Sequence, residues 1–216
     1  MLREHPGLAA LGNGDIGRRL LVLTLVSVWG LRLARHLSVK LRGKGEDPRY
    51  VAHLQGDFST ATVLRKIFVV QAAAAWFVSI PLQLSASTGP TPAALLPVLG
   101  IGLALWLLGV FFEAVGDHQL KVFKADPANR GAIMDRGLWS WTRHPNYFGD
   151  ACVWWGLWLV TITGWPALAT VLSPVLMTYF LVYGTGARVA EKHMAGRPGF
   201  SEYCSRTAFF VPRPPR

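Results

Sequence analysis

Five long apolar runs, separated by segments rich in Lys and Arg, constrain this chain more than any other feature. They cover roughly residues 20–37, 67–84, 93–112, 147–163 and 166–183. A helix of about 20 apolar residues crosses a hydrocarbon layer of about 30 Å. In lipid the backbone must satisfy its own hydrogen bonds, so helices are the default. The runs lack the alternating polarity of barrel strands, which are about 10 residues long. The expected fold is therefore all-α: a multi-pass integral membrane helical bundle of about five spans, with residues 1–216 forming a single membrane domain. Thr163-Gly164-Trp165-Pro166 reads as a tight turn that joins the last two runs into a helical hairpin. Composition agrees. Hydrophobic residues make up 51% of the 216, and only 16% are charged, against about 25% in soluble domains. A disordered chain is excluded, because disorder needs low hydrophobicity and high charge.

The net charge is +10, and its placement matters more than its size. Basic residues gather at 38–66, at 113–146 and in the tail after 183, whereas 85–92 and 164–165 have none. The positive-inside rule puts the three basic segments and the C-terminus in the cytoplasm. Arg3, Arg18 and Arg19, on the opposite side, run mildly against this. Basic residues at the ends of apolar runs favour membrane lipid or an anionic cofactor over nucleic acid. Cys152 and Cys204 match no metal or redox spacing. His118, His144 and His193 lie in three segments with no ligand spacing, so no metal site is expected. Gly184-Thr185-Gly186 follows an apolar run rather than a strand and lacks the third glycine of a dinucleotide fingerprint. The first twenty residues show no cleavable signal peptide.

Polar residues at the span ends are the candidate chemistry. The third run continues past Phe112 as EAVGDHQLKVFKAD until Pro127. Glu113, Asp117, Lys121 and Lys124 follow at i, i+4, i+8 and i+11, on one helical face. That face reads either as a surface stripe of ion pairs or as a wall with carboxylates near the bilayer and lysines farther out for phosphates. Pro145 suits a helix start. Asn146 and Asp150 then stand one turn apart, with Tyr147 beside them. Asp150 precedes ACVWWGLWLV, so an ionisable group lies at or below headgroup level. It could also cap its own helix or pair with Arg143. In the tail, Arg188, Glu191 and Lys192 leave the last span on one face, and a short C-terminal helix with Tyr203 and Arg206 follows. This part reads equally as a basic amphipathic helix on anionic lipid.

TRHPNYFGD, preceded by RGLW and followed by RxxE…G…EY…R…P, resembles a superfamily of membrane enzymes. It contains steroid 5-alpha reductases, sterol double-bond reductases and isoprenylcysteine carboxyl methyltransferases. The likeness is strongest to bacterial steroid 5-alpha reductase-like membrane proteins. It extends to WGLRLARHL at 29–37 and GKGEDPRY at 43–50, and covers roughly 28–212. Reductases of this group resemble NYxG followed by an acid. The methyltransferases resemble RHPxYxG with paired glutamates in the tail.

The sequence Asn146-Tyr147-Phe148-Gly149-Asp150 is similar to the reductase variant. By that resemblance the chain is a membrane-embedded reductase of a conjugated double bond in a steroid-like or isoprenoid molecule, with NADPH as cofactor. The implied cofactor-binding part is 113–212. Asn146 would hold the nicotinamide amide. Glu113, Asp117, Lys121 and Lys124 would form the cofactor wall. Arg130 and Arg136 would cover the phosphates, joined by Arg143 and His144. Arg188, Glu191, His193 and Tyr203 would complete the pocket from the tail. Tyr147 and Asp150 are the implied catalytic pair. The relatives' spans before WGLRL, including one with a substrate-gripping acid, would be missing, and Trp29 stands where a tyrosine partner is expected. The alternatives are an S-adenosylmethionine-dependent methyltransferase and a non-catalytic lipid-binding protein. Richness in Ala, Gly and Arg fits a bacterium, hence an inner membrane.

Overall fold

The computed structural model describes residues 14–43, 54, 56–184 and 186–215. Arg3, residues 44–50 of the GKGEDPRY stretch, Thr185 and Arg216 lie outside them. Among the described residues the structure is helical, with one isolated bridge between Thr142 and Ala208. The chain divides into two compact units, Met1–Gly89 and Pro90–Arg216. Every candidate site residue belongs to the second.

The first unit holds α1 (Ile16–Leu41), α2 (Thr60–Val78) and α3 (Ile80–Ser87). α1 runs four residues beyond the expected span at each end. The second apolar run is not one straight helix. α2 contains a π-turn at Leu64–Val69 and stops at Ser79. Pro81 lies in the first turn of α3 and donates no backbone hydrogen bond. At the break the carbonyl of Trp76 accepts from Ser79 Oγ at 2.9 Å and from Gln83 Nε2 at 3.2 Å. Such substitution lets a helix break inside an apolar layer. Arg18 is buried and closes the end of α3. Its Nε donates to Ser85 Oγ at 2.9 Å, and its Nη2 donates to Thr88 Oγ1 at 2.7 Å and to the Ser85 carbonyl at 3.2 Å. The cation satisfies the last carbonyls of a helix, which gives Arg18 a structural task apart from topology.

The second unit is built on α4 (Leu96–Ala125), entered through a 3₁₀ turn at Ala93–Leu95. Thirty residues make α4 about 45 Å long at 1.5 Å per residue. It therefore outreaches the hydrocarbon layer, and it ends before Pro127 as the sequence predicts. After α5 (Leu138–Trp141) comes α6 (Pro145–Val160), from the fourth apolar run. At 16 residues it is about 24 Å long. Among the described residues, four stretches are long and apolar enough to cross a membrane: Ile16–Leu41, Thr60–Val78, Ala93–Ala125 and Trp165–Met194. α6 is shorter, and half its residues are buried against neighbours. Then follow α7 (Trp165–Leu168), α8 (Leu172–Tyr179), a π-turn at Phe180–Gly184, α9 (Ala187–Met194) and α10 (Phe200–Arg206). The expected hairpin forms. Trp158 Nε1 donates to the Ala167 carbonyl at 3.2 Å, and Trp155 Nε1 donates to Thr178 Oγ1 at 3.0 Å.

Glycines set the spacing of α4 and α6. Gly102, Gly109 and Gly116 recur every seven residues on α4, as do Gly149 and Gly156 on α6. The helices run antiparallel, so Gly102 meets Gly156, Gly109 meets Gly149 and Gly116 meets Pro145. A Cβ on Gly109 would lie 2.5 Å from the Gly149 carbonyl oxygen and 2.6 Å from the Val153 nitrogen. Small residues permit this backbone approach, which drives helix association in lipid. Gly109→Ala is therefore expected to destabilise the protein by about 1–3 kcal/mol, the usual cost of overpacking. Gly100→Ala, on the same helix with nothing within 4 Å of its Cβ position, is the control. Thermal unfolding in detergent measures both, and equal melting temperatures would contradict the assignment.

Candidate functional site

The polar end of α4 and the start of α6 meet where the glycine contact ends. Glu113 is 3% exposed and Asp117 is 8% exposed. Both lie on the face of α4 that carries the glycines, and a Cβ on Gly149 would lie 2.7 Å from the Glu113 nitrogen. Lys121 and Lys124 continue the same stripe but are exposed. The reason is geometric: α6 begins opposite Gly116, so it does not cover the lysines farther along α4. The stripe is thus graded from buried acid to solvated base.

Asn146, in the first turn of α6, points its Nδ2 at Asp117 Oδ1, 3.5 Å away. The adjacent His144 is the N-cap residue and is buried. Its Nε2–H donates to Glu191 Oε1 at 3.1 Å, since a carboxylate only accepts. Arg143 Nε approaches the same oxygen at 3.1 Å. Glu191 therefore pairs across to the start of α6, and Arg143 takes Glu191 as a partner. The His144 ring stacks on Tyr147, with centroids 5.7 Å apart and planes tilted by 25°. Tyr147 and Asp150 are half-buried on α6.

The tail clasps this end of the bundle. Trp139 Nε1 donates to the Gly116 carbonyl at 3.0 Å, and Tyr203 OH donates to the Trp139 carbonyl at 2.6 Å. The backbone of Arg143 donates to Ala208 at 2.9 Å, and Thr142 Oγ1 donates to Phe210 at 2.8 Å. Tyr203 is buried and its hydroxyl is committed to that backbone carbonyl. Burial pushes its pKa further above the ordinary phenol value. Arg188 is exposed and stands over the Phe209 ring at 4.9 Å and the Tyr183 ring at 5.6 Å. Arg130, Arg136 and His193 are exposed.

Of the sequence-predicted residues, Glu113, Asp117 and Asn146 come together, as do Arg143, His144, Tyr147 and Glu191. Trp139 and Phe209, and the tail pairing that seats them, have no distinct signal in the sequence. The RGLW and AFFVP stretches carry them but hold no spacing that announces a contact. Among the described residues no His, Cys, Asp or Glu group could hold a metal ion.

Burial lowers the affinity of His144 for a proton, with Glu191 opposing this and Arg143 adding to it. The sign follows from linkage. The unfolded chain binds a proton near pH 6.5, the folded one only at lower pH. The stability that His144 contributes is thus present above about pH 6.5 and lost as pH falls toward the folded value. Melting temperature is expected to drop between about pH 7.5 and 5.5 more steeply in the wild type than in His144→Gln. Parallel slopes would contradict this.

An all-helical membrane bundle with a buried acidic patch grading into bases, clasped by its own tail, is the class that fold and site define. The chain belongs to the family described as protein of unknown function DUF1295, matched over residues 7–207. That family includes steroid 5-alpha reductase-like proteins. The chain is also similar to the probable O-methyltransferase ustE of Ustilaginoidea virens, at 28% identity over 117 residues. The match covers 54% of this chain and 36% of that relative, so the chain spans about a third of the relative's length. No solved structure matches.

Proposed function

We propose that the protein is a membrane-embedded, NADPH-dependent reductase of a conjugated carbon–carbon double bond in a lipophilic, steroid-like or isoprenoid molecule. The observation that carries this reading is the graded face of α4 beside Asn146. Buried Glu113 and Asp117 suit hydroxyl and amide groups, whereas exposed Lys121 and Lys124 suit phosphates. Asn146 presents an amide whose donor already approaches Asp117, and such a pair can accept another amide in register. The residues therefore fit a ligand with a polyanionic tail and an amide head. Lys121 and Lys124 would hold phosphates, with Arg130 and Arg136 following in the loop, and Asn146 would orient the head. The cofactor supplies hydride when bound. Tyr147 and Asp150 would hold or deliver a proton to a substrate carbonyl. In a bacterial inner membrane the basic segments would face the cytoplasm, where NADPH is found.

The similarity to a protein named as an O-methyltransferase favours a second reading, S-adenosylmethionine-dependent methyl transfer. The two differ in charge. A phosphate-free cofactor has no use for Lys121 and Lys124, while buried carboxylates would serve either.

Thermal unfolding of the detergent-purified protein with NADPH, NADH or S-adenosylmethionine separates them. NADPH at about 100 times its dissociation constant is expected to stabilise by about 2.7 kcal/mol, or about 5–10 °C for a chain of this size. Asn146→Ala and Lys121→Ala are each expected to abolish the shift at normal expression. A shift with S-adenosylmethionine alone would sink the reductase reading, and retention of the shift by both variants would sink the residue assignment.

A further inference from the structure

A cavity of about 240 Å³ lies on the other side of Arg143, between the start of α6 and the tail. Three arginines line it, Arg143, Arg206 and Arg213, together with Ser205, Thr207 and Phe209, and no acidic residue lines it. Arg143 and Arg206 are partly neutralised by Glu191 and Asp135. The guanidinium of Arg213 has no acidic partner among the described residues, although its backbone nitrogen is anchored to the Trp141 carbonyl at 3.0 Å. The cavity therefore keeps a net positive charge and a fixed frame.

Its depth follows from the same unit. Tyr203 and Trp139 tie α10 to the Gly116 carbonyl. That is the level at which α4 changes from the apolar Phe111-Phe112 to Asp117 and the lysines. Such a change from apolar to charged residues is what a membrane helix shows where hydrocarbon gives way to headgroups. Two apolar side chains adjoin the cavity's lining residues and are exposed: Trp141, whose carbonyl holds the Arg213 backbone, at 43%, and Val211, in the tail between Phe209 and Arg213, at 65%. Exposed aromatic residues beside arginines at this depth are the usual furniture of a lipid interface. The volume is below the 300–1,000 Å³ typical of sites that engulf a whole small molecule, so the cavity suits a headgroup and not a dinucleotide.

From this geometry we infer a site, separate from the Glu113–Asp117–Asn146 patch, that takes the phosphate of an anionic phospholipid. Basic pockets beside membrane helices hold such headgroups. The phosphate accepts from Arg213 and Arg206, and the acyl chains pass over Trp141 and Val211 into the bilayer. An occupied site holds the tail against α6, and so steadies the Glu191–His144 contact without taking part in chemistry.

The test uses the whole chain in a neutral detergent with added phosphatidylglycerol, phosphatidylcholine, inorganic phosphate or NADPH. Phosphatidylglycerol is expected to raise the melting temperature by at least about 3 °C, and phosphatidylcholine to leave it unchanged. Arg213→Gln should lose the increment, and Arg197→Gln, an exposed arginine outside the cavity, should keep it. Should Arg213→Gln fold poorly, native mass spectrometry of the wild type provides the second readout, with retained phosphatidylglycerol released by high salt. Equal shifts with both lipids, an undiminished increment in Arg213→Gln, or displacement of the lipid by inorganic phosphate or NADPH at this site would overturn the proposal.

Discussion

The close approach of α4 and α6 is the contact on which the second unit depends. In lipid, apolar side chains gain little by leaving the solvent, so association rests on packing and hydrogen bonds. Five glycines in seven-residue register allow the two backbones to touch. The contact also shapes the candidate site, because Gly149 lies directly against Glu113. Without that glycine, the acid would be pushed away from the helix that carries Asn146 and Asp150. Packing and chemistry share one surface, and neither can be altered alone.

The tail is the second device. It arrives from the far end of the chain and is held by backbone pairing at Thr142 and Ala208 and by the hydrogen bond from Tyr203 to Trp139, which is itself bonded to Gly116. Glu191, also distant in sequence, joins Arg143 and His144 at one carboxylate oxygen. Charges from α6 and α9 are thereby neutralised together. A buried histidine at a helix start is tolerable because its proton is donated to that carboxylate.

Much of the fold was legible. The apolar runs located the helices, the Gly164-Trp165-Pro166 turn marked the hairpin, and Pro127 marked the end of α4. The spacing of Glu113, Asp117, Lys121 and Lys124 placed them correctly on one face. Less legible was the second run, where a π-turn and Pro81 divide an apolar stretch whose hydropathy shows no break. The shortness of α6 was hidden for a similar reason, since Thr161 to Thr163 are polar enough to end a helix but not to interrupt an apolar average. Arg18 looked like a topological charge and proved to be a cap, because its partners Ser85 and Thr88 are about 70 residues away.

Local order and helical class follow from the sequence alone, because they depend on residue type and on periods of a few residues. The gradient from acid to base along α4 has the same origin. Which acids are buried, which arginine meets which carboxylate, and whether a tail tyrosine faces a ligand or a backbone carbonyl were decided only by tertiary structure. Those outcomes rest on contacts between residues some 30 to 70 positions apart. The glycines stand plainly in the sequence, but their effect appears only when a second helix is laid across them.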